Sequence, residues 1–106
     1  MTTTTHRINA TQARAWMNEY PEAIILDVRT ADEFNAGHIQ GALLLPVTDI
    51  EAQAAALLPD KDALILIYCR SGVRSVTALN HMLAMGYTRV YEFGGIIDWP
   101  YGLVLR

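Results

Sequence analysis

Leu64-Ile65-Leu66-Ile67-Tyr68-Cys69-Arg70-Ser71-Gly72-Val73-Arg74-Ser75 passes from an uninterrupted apolar segment into a glycine-containing loop. Beyond the loop, Val76, Leu79, Met82 and Leu83 fall at helical spacing. The apolar segment lacks the alternation of a strand with one wet face, so it suits a parallel strand covered on both sides. A strand feeding straight into a helix sets Cys69, the only cysteine of the chain, against the helix N-terminus with Arg70 and Arg74 close by. A lone cysteine is usually a small buried hydrophobe, but cations and a helix N-terminus make a thiol an anionic nucleophile.

The same strand–helix alternation extends in both directions. Arg7-Ile8 reads as a short first strand, and Asn9 as an N-cap with Gln12 in capping-box spacing. The helix that follows is expected to bury Ala13, Trp16 and Met17 and to end near Tyr20-Pro21. Residues 23–28 form a second strand. Thr30 and Glu33 pair as a second capping box, opening a short helix that stops at Gly37. Residues 41–45 read as a third strand closed by Pro46. Thr48 and Glu51 repeat the box before an alanine-rich helix ending at Leu58-Pro59. Residues 63–68 are the fourth strand, and residues 75–85 a helix ended by Gly86 at C′. Residues 89–93 are the fifth strand, followed by Gly94-Gly95 and a last segment holding Ile96, Ile97 and Trp99. Such alternation implies an α/β sandwich with a mostly parallel sheet, which binds ligands beyond the C-terminal ends of its strands. Cys69 follows the fourth strand directly.

At 106 residues the chain is expected to form one domain, residues 6–106, preceded by a disordered tail over residues 1–5. A hydrophobic fraction of 52% against 18% charged supports a core without staples. A net charge of -3 offers no polybasic field for nucleic acid or anionic lipid. No apolar run approaches the ~20 residues that span a bilayer, and the threonine-rich start lacks a charged-then-apolar signal pattern. A single free thiol fits a reducing compartment, so a cytoplasmic protein is expected. His6, His38 and His81 lack ligand spacing, so neither metal nor cofactor is expected. Lys61 is the only lysine; the remaining basic side chains are arginines, whose planar forks suit oxyanions.

Residues 70–75 can turn successive backbone N–H groups inward as a nest for an anion. The helix N-terminus adds about half a positive charge, and Gly72 permits the backbone angles that such curling requires. Lowering a thiol pKa from ~8.5 to ~6 raises its thiolate fraction roughly 30-fold at neutral pH. Nucleophilicity falls roughly 13-fold over the same shift for a Brønsted slope of ~0.45. Ionisation alone therefore gains only a few-fold. We expect the loop mainly to position an anionic substrate and to stabilise a charged, sulfur-bearing intermediate on Cys69.

Leu26-Asp27-Val28-Arg29, Glu33-Phe34, Gly37-His38-Ile39 with Gly41-Ala42, the loop from Cys69 to Ser75, and Gly94-Gly95-Ile96 with Trp99 occur in this order over about residues 22–99. Together they resemble the rhodanese-like domains, specifically the small single-domain thiosulfate sulfurtransferases. The resemblance implies a three-layer α/β/α sandwich with a five-stranded parallel sheet. It also implies a two-step reaction in which Cys69 takes the outer sulfur of thiosulfate, or of a related sulfane donor, as a persulfide. A thiol acceptor, a thioredoxin-like protein among the candidates, or cyanide then removes that sulfur. Carried over by position, Arg70, Ser71, Gly72, Val73, Arg74 and Ser75 form the cradle, with Arg70 and Arg74 as sulfonate ligands. Asp27 and Arg29 are read as a supporting pair rather than as chemistry. Gln40, Val73 and Pro100 depart from the family pattern.

Two other readings stand beside this one. The domain could serve as a sulfur-carrier or protein-interaction module. It could also be a cysteine phosphatase or arsenate reductase, but those phosphatases place five residues between cysteine and arginine, whereas Cys69 and Arg74 are separated by four. One residue fewer removes up to ~3.5 Å of contour, which suits a persulfide sulfur better than a tetrahedral phosphate.

Overall fold

The computed structural model describes residues 6–105. The disordered tail expected over residues 1–5 lies outside them. Two of the three expected capping boxes form. Asn9 accepts from the Gln12 amide while Gln12 accepts from the Asn9 amide, starting helix α1 (Ala10–Glu19). Thr30 and Glu33 do the same for α2 (Ala31–Asn35). The third box does not form. A 3-10 turn over Val47–Asp49 leads instead into α3 (Ile50–Leu57), whose N-cap is Asp49 without a side-chain cap. Pro46 fixes the chain direction just before that turn, so Thr48 lies inside it rather than at its mouth.

The strands are β1 (Ile24–Asp27), β2 (Leu43–Leu44), β3 (Leu64–Cys69) and β4 (Arg89–Gly95). Among the described residues they form one four-stranded sheet in the order β2-β1-β3-β4, all neighbours parallel. The expected five-stranded sheet is thus corrected to four. The Arg7-Ile8 segment contributes one parallel bridge, Arg7 to Glu92, outside any strand. Its backbone follows β4 through Ile8 N–H to the Glu92 carbonyl at 3.0 Å and Glu92 N–H to the His6 carbonyl at 2.8 Å. The Asn9 cap then turns the chain into α1, leaving too few residues for a ladder.

β3 is buried at every position. Ile65, Ile67 and Cys69 pack on one face with Ile50 and Ala54 of α3 and Ala78, Leu79 and Met82 of α4 (Val73–Ala84). Leu64, Leu66 and Tyr68 pack on the other with Ala13 and Trp16 of α1, and with Phe93 and Trp99. Strand side chains alternate between faces, so this division explains why the sequence of β3 shows no polar alternation. Cys69 therefore projects toward the layer that carries α4.

Candidate active site

α4 begins at Val73, two residues before the expected start, so the loop after Cys69 is only Arg70, Ser71 and Gly72. Gly72 is the N-cap with φ 106°, a left-handed conformation that costs other residues roughly 1–2 kcal/mol. That turn brings the Gly72 N–H to 3.0 Å from Cys69 Sγ. The amides of Ser71 and Ser75 and the Ser75 hydroxyl also face the sulfur. Burial pushes the thiol up, but these hydrogen bonds together outweigh it and bring the thiol below its ordinary value. Cys69 is 1% exposed, so the sulfur sits at the floor of its ring rather than on the surface.

The far wall of the ring comes from β4. Ladder pairing shifts register between Ile67 and Cys69, so that Ile67 opposes Glu92 but Cys69 opposes Gly95. Such irregularities re-aim backbone beside active sites. A Cβ on Gly95 would lie 2.2 Å from the Arg70 carbonyl oxygen and 2.5 Å from Ser71 Cα, so only glycine fits. Ile97 N–H then donates to the Arg70 carbonyl at 3.2 Å.

The two arginines stand in different surroundings. Arg74 is half-buried and gives two hydrogen bonds to Glu33, at 2.7 and 2.9 Å. Its guanidinium holds the Glu33 carboxyl down at about 2, against the opposing effect of burial and with help from Thr30. Arg74 also lies near enough to feel the charge of Cys69. Arg70 is exposed, and among the described residues its side chain makes no ion pair. Val73, 73% exposed, caps the outer end of the loop with an apolar surface.

Asp27 and Arg29 form a buried ion pair behind the site, Arg29 Nη2 to Asp27 Oδ2 at 2.7 Å. Arg29 also donates to the Gly37 carbonyl at 2.7 Å. The Tyr68 hydroxyl donates to Asp27 Oδ2 at 2.7 Å and accepts from the Ile39 N–H at 3.1 Å. This network ties the ends of β1 and β3 to the segment through Gly37 and Ile39. Burial and the Asp27 hydrogen bond hold the Tyr68 hydroxyl in its neutral, donating form. His38 is a structural histidine, its ring stacked on Phe34 at 3.7 Å.

Sequence reasoning missed the second task of Glu33, because its capping-box position already accounted for it. It also missed Glu92, which is 1% exposed and accepts from Ser75, Gly94 and Arg7. The available signal was an acidic residue standing alone between Val90-Tyr91 and Phe93 in a strand otherwise fit for burial.

The model of the rhodanese-like domain matches residues 9–100. A relative named thiosulfate sulfurtransferase PspE, from Escherichia coli strain K12, is 34% identical over 69% of this chain and 70% of its own length. A sulfurtransferase of Allochromatium vinosum is 39% identical over 74% of this chain and 72% of its own. Among solved structures, a rhodanese with anions from E. coli superposes with a TM-score of 0.72 at 32% identity, covering 77% of this chain and 96% of the other.

Proposed function

The chain belongs to the rhodanese-like domain family, and from that premise we propose that it is a sulfurtransferase working through a Cys69 persulfide, with thiosulfate or a related sulfane compound as donor. The observation that carries the proposal is the ring of amides from Ser71, Gly72 and Ser75 around the Cys69 sulfur, with Gly72 N–H at 3.0 Å. In the first step the Cys69 thiolate attacks the outer sulfur of thiosulfate. A new S–S bond forms, and the S–S bond of thiosulfate breaks with its electron pair leaving on sulfite. The persulfide anion inherits the amide donors that served the thiolate, which is how preorganised dipoles lower such a barrier. In the second step an acceptor thiolate, or cyanide, attacks the terminal sulfur and returns the Cys69 thiolate. Charge balances in both steps without a net proton.

Arg70 is the exposed cation at the loop and serves the sulfonate of the incoming donor. Arg74 adds its charge while held by Glu33, and Asp27 with Arg29 supports the floor. The name of the Escherichia coli relative favours thiosulfate, and a lone free cysteine favours the cytoplasm, where thiol acceptors such as thioredoxin-like proteins are reduced. The test is mass spectrometry of the folded, reduced protein after thiosulfate. Gain of one reducible sulfur, absent in Cys69→Ser, is expected; its absence in the wild-type protein would end the proposal.

A second reading follows from the 1% exposure of Cys69. A covered sulfur suits a carrier that holds its persulfide until a partner protein collects it. Fast discharge to cyanide with slow discharge to every small thiol would favour the carrier. Hydrolysis of an aryl phosphate, lost in Cys69→Ser, would instead revive the phosphatase reading.

A further inference from the structure

The Ser75 hydroxyl has a single proton and three acceptors around it. The Gly72 carbonyl lies at 3.1 Å, the Glu92 carboxylate oxygen Oε1 at 2.7 Å, and the sulfur of Cys69 also faces it. A carboxylate outcompetes a carbonyl for a hydroxyl proton, and its contact here is also the shorter. Glu92 itself is enclosed. Gly94 N–H donates to the same Oε1 at 3.0 Å, and Arg7 donates to Oε2 at 2.6 Å from the segment beside β4. His6 packs its ring on Tyr91 and reaches the Val90 carbonyl, Arg74 of α4 is bonded to Glu33, and Cys69 ends the neighbouring strand.

We propose that Glu92 is a positioning residue that acts through Ser75. By competing for the hydroxyl proton, it weakens the donor that Ser75 offers the sulfur on residue 69 and limits how far the ring stabilises a sulfur anion. The meaning of this for turnover rests on the sulfurtransferase reading. A ring that bound the persulfide anion too well would not release its terminal sulfur, and a buried carboxylate one hydroxyl away opposes that. The device itself is a property of the thiol and is measurable without any sulfur donor.

The experiment follows the rate of Cys69 alkylation by iodoacetamide across pH, in wild type, Ser75→Ala, Glu92→Gln and the double variant, with circular dichroism to confirm folding. A hydrogen bond to a charged group is equivalent to about one to two pKa units. In Glu92→Gln a neutral amide no longer holds the proton against a thiolate, so the apparent pKa of Cys69 is expected to fall by about one unit. In the Ser75→Ala background the same substitution should give less than about half that fall, only the through-space effect of removing a charge remaining. Ser75→Ala alone should raise the thiol by well under about one unit, because its proton is shared with Glu92.

An unchanged pKa in folded Glu92→Gln overturns the inference, as does an equal fall in both backgrounds. If Glu92→Gln does not fold, Ser75→Ala decides alone: a rise of about one unit or more shows that Glu92 does not draw the hydroxyl proton away from the sulfur and refutes the inference. Failure of persulfide formation with thiosulfate would refute the reaction and leave these pKa outcomes standing.

Discussion

Arg74 and Glu33, forty-one residues apart, are joined by two hydrogen bonds that pin the first turn of α4 to the first turn of α2. The folded Glu33 carboxyl is held at about 2, below its ordinary value of 4.5. A carboxylate depressed by folding adds stability that is fully present above its unfolded pKa and lost as pH falls through the folded one. Glu33→Gln should therefore lower Tm at neutral pH by up to ~5 °C, since a partly exposed pair contributes about 1 kcal/mol or less. The gap between variant and wild type should close between pH 4.5 and about 2. A gap that persists unchanged at the acid end would show that the pair is not its source.

The two arginines should separate kinetically. Arg70→Ala is expected to raise KM for thiosulfate about tenfold, the loss of one charge-assisted contact, with alkylation by a neutral reagent unchanged. Arg74→Ala should lower Tm and slow both reactions, because it frees Glu33 beside the loop. Equal effects of both variants on KM alone would refute this division.

Cys69 carries a pH dependence of its own. Its folded pKa is depressed from the ordinary value of 9.0, because the Ser75, Gly72 and Ser71 donors outweigh burial. Alkylation should reach half its maximal rate at a lower pH than a small-molecule thiol does. The same linkage makes the thiolate stabilising above the unfolded pKa, a contribution lost as pH falls through the folded value. Cys69→Ser should thus lose most stability, relative to wild type, at alkaline pH. A half-maximum at or above that of the free thiol would contradict the donor geometry.

Neighbouring glycines should respond differently. Gly95→Ala places a methyl against loop backbone at 2.2 Å. Backbone cannot yield as a side-chain tip does, so a cost of about 2–3 kcal/mol and loss of persulfide formation are expected. Gly94→Ala meets open space at φ 89°, so it should cost about 1–2 kcal/mol in conformation and keep the ring. Thermal melts with sulfur loading measure both, and parity between them would discredit the close-approach argument.

Tyr68→Phe removes the donor to Asp27 and the acceptor for Ile39 N–H, both buried. Stability should fall by about 1–3 kcal/mol by denaturant titration, with sulfur loading per folded molecule retained. Asp27→Asn, which strips the partner from buried Arg29, should cost more, about 3–5 kcal/mol. A loss of loading in Tyr68→Phe that exceeds its loss of folded protein would make this network part of the chemistry.

Most of the fold could be read because its signals are local. Asn9 with Gln12, and Thr30 with Glu33, mark helix starts by spacing alone, and the even burial of β3 follows from its unbroken apolar run. The expected first strand could not be judged that way. Whether Arg7-Ile8 becomes a strand depends on how soon the Asn9 cap ends its run along β4, a competition between two weak local signals. The Thr48–Glu51 pair had the right letters, but Thr48 lies inside a 3-10 turn set by Pro46 while Glu51 already belongs to α3. At the site, Cys69 and the glycine of its loop stood out because their residue types are unusual there. The partners of Arg74 and Ser75 did not, since Glu33 and Glu92 reach them across elements that no sequence spacing connects.

The approach of Gly95 to Arg70 carries one more consequence. The heptapeptide around the thiol owes its shape to a wall supplied from the end of another strand, so it is half of a joint and not a portable motif. Transplanted onto a different strand–helix junction, the same seven letters would lack their backstop and would relax open.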